Sequence, residues 1–218
     1  MTTTAPTVRI RSHLDAFFQQ IDPPKARVIF AVDATASRQP TWDMALPLTA
    51  EMFRAATAAG GLSLQLVYFR GERECPASRW MSDPSSLAAT MSAVMCRSGL
   101  TQIGRVLAHA HKEDQRQKIA AVILVSDACE ETAAELYTMA RKLHVPVFLF
   151  QEGINEQVAS VYSSIAAITG GATSGFNAGA AARLADLLKA VVTFATGGRK
   201  ALAAENTEAA RLLLAQIK

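Results

Sequence analysis

Residues 27–37 read RVIFAVDATAS. A continuous apolar run, 27–32, ends on an acid, Asp33, and hydroxyls follow at alternate positions, Thr35 and Ser37. Such a run suits a strand buried on both faces, as in a parallel sheet covered by helices. The same signature recurs outward along the chain. Residues 62–69 (LSLQLVYF) end near Gly71, and residues 118–126 (KIAAVILVS) stop at a second acid, Asp127. Residues 145–150 (VPVFLF) form a fourth strand candidate, weakened at its start by Pro146.

Helical segments fit between these runs. Residues 40–59 begin at Pro40, favoured in a first helical turn, and end before Gly60-Gly61. Residues 102–113 follow Thr101, and residues 133–143 follow Thr132, with Thr132-x-x-Glu135 spaced as a capping box. Residues 155–168 end at Gly170-Gly171, after which ATSGFN reads as a short edge strand. Residues 180–196 place Leu184, Leu187, Leu188, Val191 and Val192 at helical spacing. Alternating strand and helix predicts an α/β chain, a doubly wound, mostly parallel sheet with helices on both faces. Residues 72–80 (ERECPASRW) add a short antiparallel edge strand to this expectation.

The expected division is a lead segment 1–24, a domain 25–196 and a C-terminal helical tail 197–218. Beyond Gly197-Gly198 the tail carries Leu202, Leu213, Leu214 and Ile217 on an Ala-rich, charged background. That amphipathic helix either packs on its own domain or docks on another protein.

At 218 residues, with 50% apolar and 19% charged side chains, the chain has material for a sizeable core and is not a disordered polymer. A net charge of +3 is far from the basic surface of a dedicated nucleic-acid binder. No apolar run approaches the roughly 20 residues that span a bilayer. The start, MTTTAPTVRIR, lacks the apolar stretch of a signal peptide. Cys75, Cys96 and Cys129 are odd in number and show no CxxC spacing, so neither a disulfide framework nor a zinc site is indicated. The expectation is a cytoplasmic globular protein without nucleic-acid or membrane partners.

In an open parallel sheet, ligands gather beyond the carboxyl ends of strands, where the strand order reverses. Alternate residues of an extended loop point the same way, so Asp33, Thr35 and Ser37 can converge there. Asp127 ends another strand at the same edge, and Thr101 opens the helix preceding that strand. An oxygen-only donor set suits a hard cation such as Mg²⁺, which commonly retains waters. Two carboxylates balance its charge, while neutral hydroxyls leave it electrophilic toward an outside carboxylate.

These residues resemble the metal-ion-dependent adhesion site of the von Willebrand factor A (VWA) domain family: DxSxS after the first strand, a Thr in a later loop, an Asp after a later strand. The matches are Asp33, Thr35 and Ser37; Thr101 within SGLTQIGRVL; and Asp127 within ILVSDACEE. The resemblance covers roughly residues 25–196. It implies a Rossmann-like sheet and Mg²⁺ or Mn²⁺ at its upper edge. Ser37, Thr35 and Thr101 would contact the metal directly or through water, and the two Asp mainly through water. It also implies a protein partner that supplies a Glu or Asp to the metal, in an intracellular adaptor or complex-assembly role. Two positions depart from the pattern. Thr35 replaces the usual Ser, keeping the hydroxyl on a stiffer side chain. Ala128 stands where Gly is common, which brings the loop's backbone geometry into question.

Each residue also has a plainer reading. Ser37 and Thr101 can be helix caps, Asp127 a capping acid, and Asp33 a partner for loop amides. Glu130 and Glu131 either rim the site or sit on a solvated loop, the latter being expected. His109 and His111 are two apart and point in different directions on a helix. His13 and His144 stand alone, and Cys129 has no neighbour that clearly lowers its pKa. Trp42, Trp80 and Phe69 read as core or rim packing.

A binding module is therefore expected rather than an enzyme. The alternatives are a Mg²⁺-dependent phosphoryl-transfer enzyme of the haloacid dehalogenase type and a metal-free, degenerate VWA scaffold. The first ordinarily needs a second acid where Thr35 stands. A response-regulator receiver fits poorly, since it needs an acidic pair after the first strand.

Overall fold

The structure is a computed structural model, and it describes residues 25–39, 42, 61–177 and 181–217. Five strands, β1 (Ala26–Asp33), β2 (Leu62–Phe69), β3 (Ala121–Ser126), β4 (Val147–Glu152) and β5 (Ala172–Phe176), form one sheet in the order β2-β1-β3-β4-β5. Every pairing is parallel. Around it lie α1 (Pro84–Ser92), α2 (Ile103–Arg116), α3 (Ala133–Ala140), α4 (Glu156–Thr169), α5 (Ala181–Ala204) and α6 (Glu208–Leu214).

The continuous apolar runs have their cause in two-sided burial. Along β1, Val28, Phe30 and Val32 face a core shared with α1, α5 and α6, while Ile29 and Ala31 face one shared with α2, α3 and α4. β4 begins at Val147, just past Pro146, as the missing N–H of proline requires. In place of an edge strand at 72–80, three isolated antiparallel bridges, Leu64–Met81, Val67–Ala77 and Arg70–Glu74, run along β2.

Helix α1 falls outside the elements expected from apolar spacing, because it buries only Leu87 and Met91. Its signal is at the start: Pro84 occupies the first turn and the Asp83 carboxylate accepts from the Ser85 and Ser86 amides. The expected helix 40–59 lies outside the described residues apart from Trp42, which is buried. Thr132 stands at the N-cap of α3, but its side chain makes no cap hydrogen bond, so the expected capping box does not form.

The tail packs on its own domain. Helix α5 kinks at Gly198, whose φ of 69° is freely open only to glycine. Beyond it, Leu202, Leu213 and Ile217 enter the same core as Val28 and Phe30. The Arg199 guanidinium donates to the Leu214 carbonyl at 3.1 Å and to that of Ile217, which closes the end of α6. Gln216 accepts from the Thr173 amide at 2.9 Å and donates to its carbonyl at 3.0 Å, standing in for a strand partner at the edge of β5. No helix among the described residues is long and apolar enough to cross a membrane.

Candidate metal centre

The strand order places its switch point between β1 and β3, where neighbouring connections leave in opposite directions and open a crevice. Asp33 ends β1 and Asp127 follows β3 at that crevice. Asp33 is wholly buried. Its Oδ1 accepts the Thr35 amide at 2.8 Å, a local turn that holds the loop extended. Its Oδ2 accepts the Ser126 hydroxyl at 2.6 Å. Ser126 is the last residue of β3 and faces Asp33 because Val32 pairs with Val125 one step earlier. It was not singled out from sequence; the available signal is its place immediately before Asp127.

The remaining hydroxyls form a chain. Thr35 Oγ1 lies 3.2 Å from Ser37 Oγ, and Ser37 donates to Asp127 Oδ2 at 3.0 Å. Asp127 Oδ1 is buried with no hydrogen-bond partner. Thr101 is buried and belongs to a reciprocal pair: its amide donates to the Glu130 carboxylate at 2.6 Å, and its Oγ1 accepts the Glu130 amide at 2.9 Å. The Glu131 carboxylate accepts the Ile103 and Gly104 amides at 2.6 and 2.7 Å. Glu130 and Glu131 are thus not a loose solvated loop. They latch the Asp127 loop to the start of α2, and Glu131 supplies the cap that Thr101 was considered for. All five candidate residues, Asp33, Thr35, Ser37, Thr101 and Asp127, line one cleft of about 270 Å³. Ser98, Gly99 and Glu130 complete much of its wall.

Electrostatically the cleft is unfinished. Burial pushes the Asp33 carboxyl above its ordinary value, partly offset by the bonds from Ser126 and Thr35 and reinforced by the charge on Asp127. Burial likewise pushes Glu131 up. The Cys129 thiol is raised to about 11 by burial, the wrong direction for a nucleophile. Ala128 carries no backbone strain: Asn206 is the only non-glycine residue with positive φ among those described. Its carbonyl accepts the Tyr162 hydroxyl at 3.0 Å, which fixes the loop where glycine is common in the family.

Among the described residues no three or more His, Cys, Asp or Glu side chains gather so as to hold a metal ion unaided. The five candidate residues instead offer two carboxylates and three hydroxyls, and Asp127 Oδ1 is an orphaned acceptor within that set. An all-oxygen set of this kind fits a hard divalent cation. His109 is committed elsewhere, with Nε2 2.8 Å from Gln65 Oε1.

No family model and no curated protein sequence matches the chain. Solved structures do. A von Willebrand factor type A protein from Catenulispora acidiphila is 16% identical over 80% of this chain and 43% of its own, with a TM-score of 0.61. Proximal thread matrix protein 1 from the mussel byssus is 20% identical over 79% of this chain and 48% of its own, again at 0.61. The SpRpn10 VWA domain is 12% identical over 74% of this chain and 94% of its own, at 0.57. The chain spans less than half the length of the first two. It is an open, doubly wound α/β domain with its polar crevice at the switch point. More particularly, its fold is that of a von Willebrand factor A domain.

Proposed function

We propose that this chain is a protein-interaction module that binds an acidic residue of a partner through Mg²⁺ or Mn²⁺, in a cytoplasmic adaptor or complex-assembly role and without turnover. The VWA-like fold supports protein interaction in general. The observation that carries the metal is the convergence of five oxygen-bearing side chains on one cleft in which Asp127 Oδ1 has no partner. Asp33, Thr35, Ser37, Thr101 and Asp127 would hold the ion, directly or through water. When bound, the ion supplies a positive, incompletely satisfied centre for an incoming carboxylate. Asp33 orients Thr35 through its amide, Ser126 holds Asp33, and the Glu130 latch sets the position of Thr101. A nucleophilic-aspartate enzyme has less support, since the cleft lining holds no lysine among the described residues and carries Thr35 where a second acid would stand.

The test is isothermal calorimetry of the full chain with Mg²⁺ and Mn²⁺, beside the Asp127→Ala variant. Saturable heat that the variant lacks is expected. Equal heats from both proteins would overturn the assignment. A metal-free scaffold is the second reading, favoured by the Thr35–Ser37–Asp127 chain, which already joins these groups without an ion. Absence of saturable heat in the wild type, together with no thermal shift in Mg²⁺ plus an acidic peptide, would select it.

A further inference from the structure

Three large hydrophobic side chains are exposed among the described residues: Met95 at 63%, Leu100 at 54% and Ile154 at 92%. All three sit in loops at the carboxyl edge of the sheet. Ile154 follows β4, and Met95 and Leu100 belong to the loop 93–102 that leads into α2. That loop forms one wall of the cleft through Ser98 and Gly99.

The loop is pinned. The Arg97 amide donates to the Ala34 carbonyl at 3.0 Å, and the Leu100 amide to that of Gly71 at 3.1 Å. The Gln102 side chain donates to the Arg70 carbonyl at 3.1 Å, and Arg70 donates to the carbonyl of Met95. Gly99 lies so close to Gly71 that a Cβ would fall 2.2 Å from its backbone nitrogen and oxygen. The exposed side chains are therefore presented by a fixed backbone, which lowers the ordering cost of binding. Met95 and Leu100 place two large apolar side chains on one short loop at the rim of a polar crevice, more than the singly scattered apolar exposure ordinary on a surface.

The same wall also carries arginines. Arg70 and Arg97 meet at Glu74 on this wall, and Arg105 donates to the Arg73 carbonyl at 3.0 Å. Glu74 is held by Arg70 at 2.8 Å and lies 3.4 Å from Arg97, which leaves Arg97 as the outer cation. Glu72 is the other acid of this turn. Glu130, whose carboxylate accepts the Thr101 amide, and Glu131, at the start of α2, are two further acids against this wall, so its positive charge is local to Arg97, whose side chain is 55% exposed beside a cleft that is itself acidic.

We infer that the loop 93–102 is the specificity wall of the site, and that it selects a partner segment in which the metal-seeking carboxylate is accompanied by a second acidic side chain and by bulky apolar ones. Arg97 pairs with the second acid, and Met95 and Leu100 cover the apolar side chains. This rests on the reading of the cleft as a carboxylate-binding site, and it adds the chemistry of what surrounds that carboxylate.

The test uses the full chain and a phage-displayed random dodecapeptide library panned in Mg²⁺ buffer with non-specific elution. Enriched peptides are then synthesised and titrated by fluorescence polarisation. Enrichment of sequences pairing two acids with apolar residues is expected. Arg97→Glu should weaken them at least tenfold, and Met95→Ser with Leu100→Ser at least fivefold, with melting temperatures unchanged because these side chains are exposed. Enrichment of no such class, or wild-type affinity in both variants, overturns the inference. Chelator separates it from the metal reading. Peptides that need Arg97 but bind equally in chelator support the wall and count against the ion; peptides lost in chelator but indifferent to all three substitutions do the reverse.

Discussion

One strand, β1, carries a buried charge at each end, and the two ends are treated differently. At its start, Arg27 donates to Glu113 at 3.1 Å and stacks 3.8 Å from the centre of the Trp80 ring. Glu113 also accepts from Trp80 Nε1 at 2.9 Å and from Arg116 at 2.7 Å. Burial alone would raise the Glu113 carboxyl, but the bonds from Trp80 and Arg116 and the nearby positive charges outweigh it and hold it below the ordinary value. At the other end Asp33 meets the Thr35 amide, hydroxyls and a second acid, with no cation among the described residues that hydrogen-bond it, and is raised. Two buried carboxylates, Glu113 on α2 and Asp33 at the end of β1, are thus completed to different degrees. A charge that the fold has neutralised serves the fold, whereas one left among dipoles and a second acid is the arrangement on which the proposed metal site rests.

The sharpest way to break this contrast is to remove the completed charge. Glu113→Ala leaves Arg27 buried and Trp80 Nε1 without its acceptor, and is expected to cost about 3–5 kcal/mol in urea unfolding. A loss below about 1 kcal/mol would mean the cluster is not the structural centre described. The linkage has a definite sign. With its folded-state pKa lowered, Glu113 contributes stability that is fully present above the ordinary glutamate range and lost as pH falls through the folded-state value. The Glu113→Gln variant should therefore differ most from wild type near neutrality and converge with it in acid. A pH-independent difference would count against the assignment.

At the other end, charge removal should be mild. In Asp33→Asn the side-chain oxygen still accepts the Thr35 amide, and the new NH₂ faces Ser126, whose proton can turn to the Ala128 carbonyl 3.1 Å away. The expected cost is under about 1 kcal/mol in the absence of divalent ions. Asp33→Ala is harsher, because it leaves the Thr35 amide without its acceptor in a buried position and opens a gap beside Ser126, at about 2 kcal/mol. The conservative variant should also lose any stabilisation by Mg²⁺ that the wild type shows in a thermal melt. Asp33→Asn costing as much as Glu113→Ala would erase the difference between the two ends.

Much of this arrangement is legible along the chain because it follows from burial. The unbroken run before Asp33 announces a strand covered on both faces, and the alternation of such runs with helices puts the acids that end them at one edge. Side chains that act across the chain are hidden. Ser126 holds Asp33 from a position 93 residues away, and Glu131 caps a helix that begins 28 residues before it. Helix α1 is hidden for another reason: burying only Leu87 and Met91, it has almost no apolar period to read, and only the Asp83-Pro84 start betrays it.

The smallest single effect is expected of Thr132, in the loop after β3, where a local motif and a distant one compete. Thr132 and Glu135 have the spacing of a capping box, yet the Thr132 side chain makes no cap bond, while Glu131 reaches the Ile103 and Gly104 amides. A carboxylate that collects two free amides at the start of a 14-residue helix gains from its dipole as well, which a hydroxyl capping its own eight-residue helix does not match. Glu131→Ala is therefore expected to cost about 1 kcal/mol or somewhat more, and Thr132→Ala to stay within about 0.5 kcal/mol of wild type, both by urea unfolding. The reverse order would show that the Asp127 loop is held by its own helix rather than by the latch to α2, and the position of Thr101 would then need another explanation.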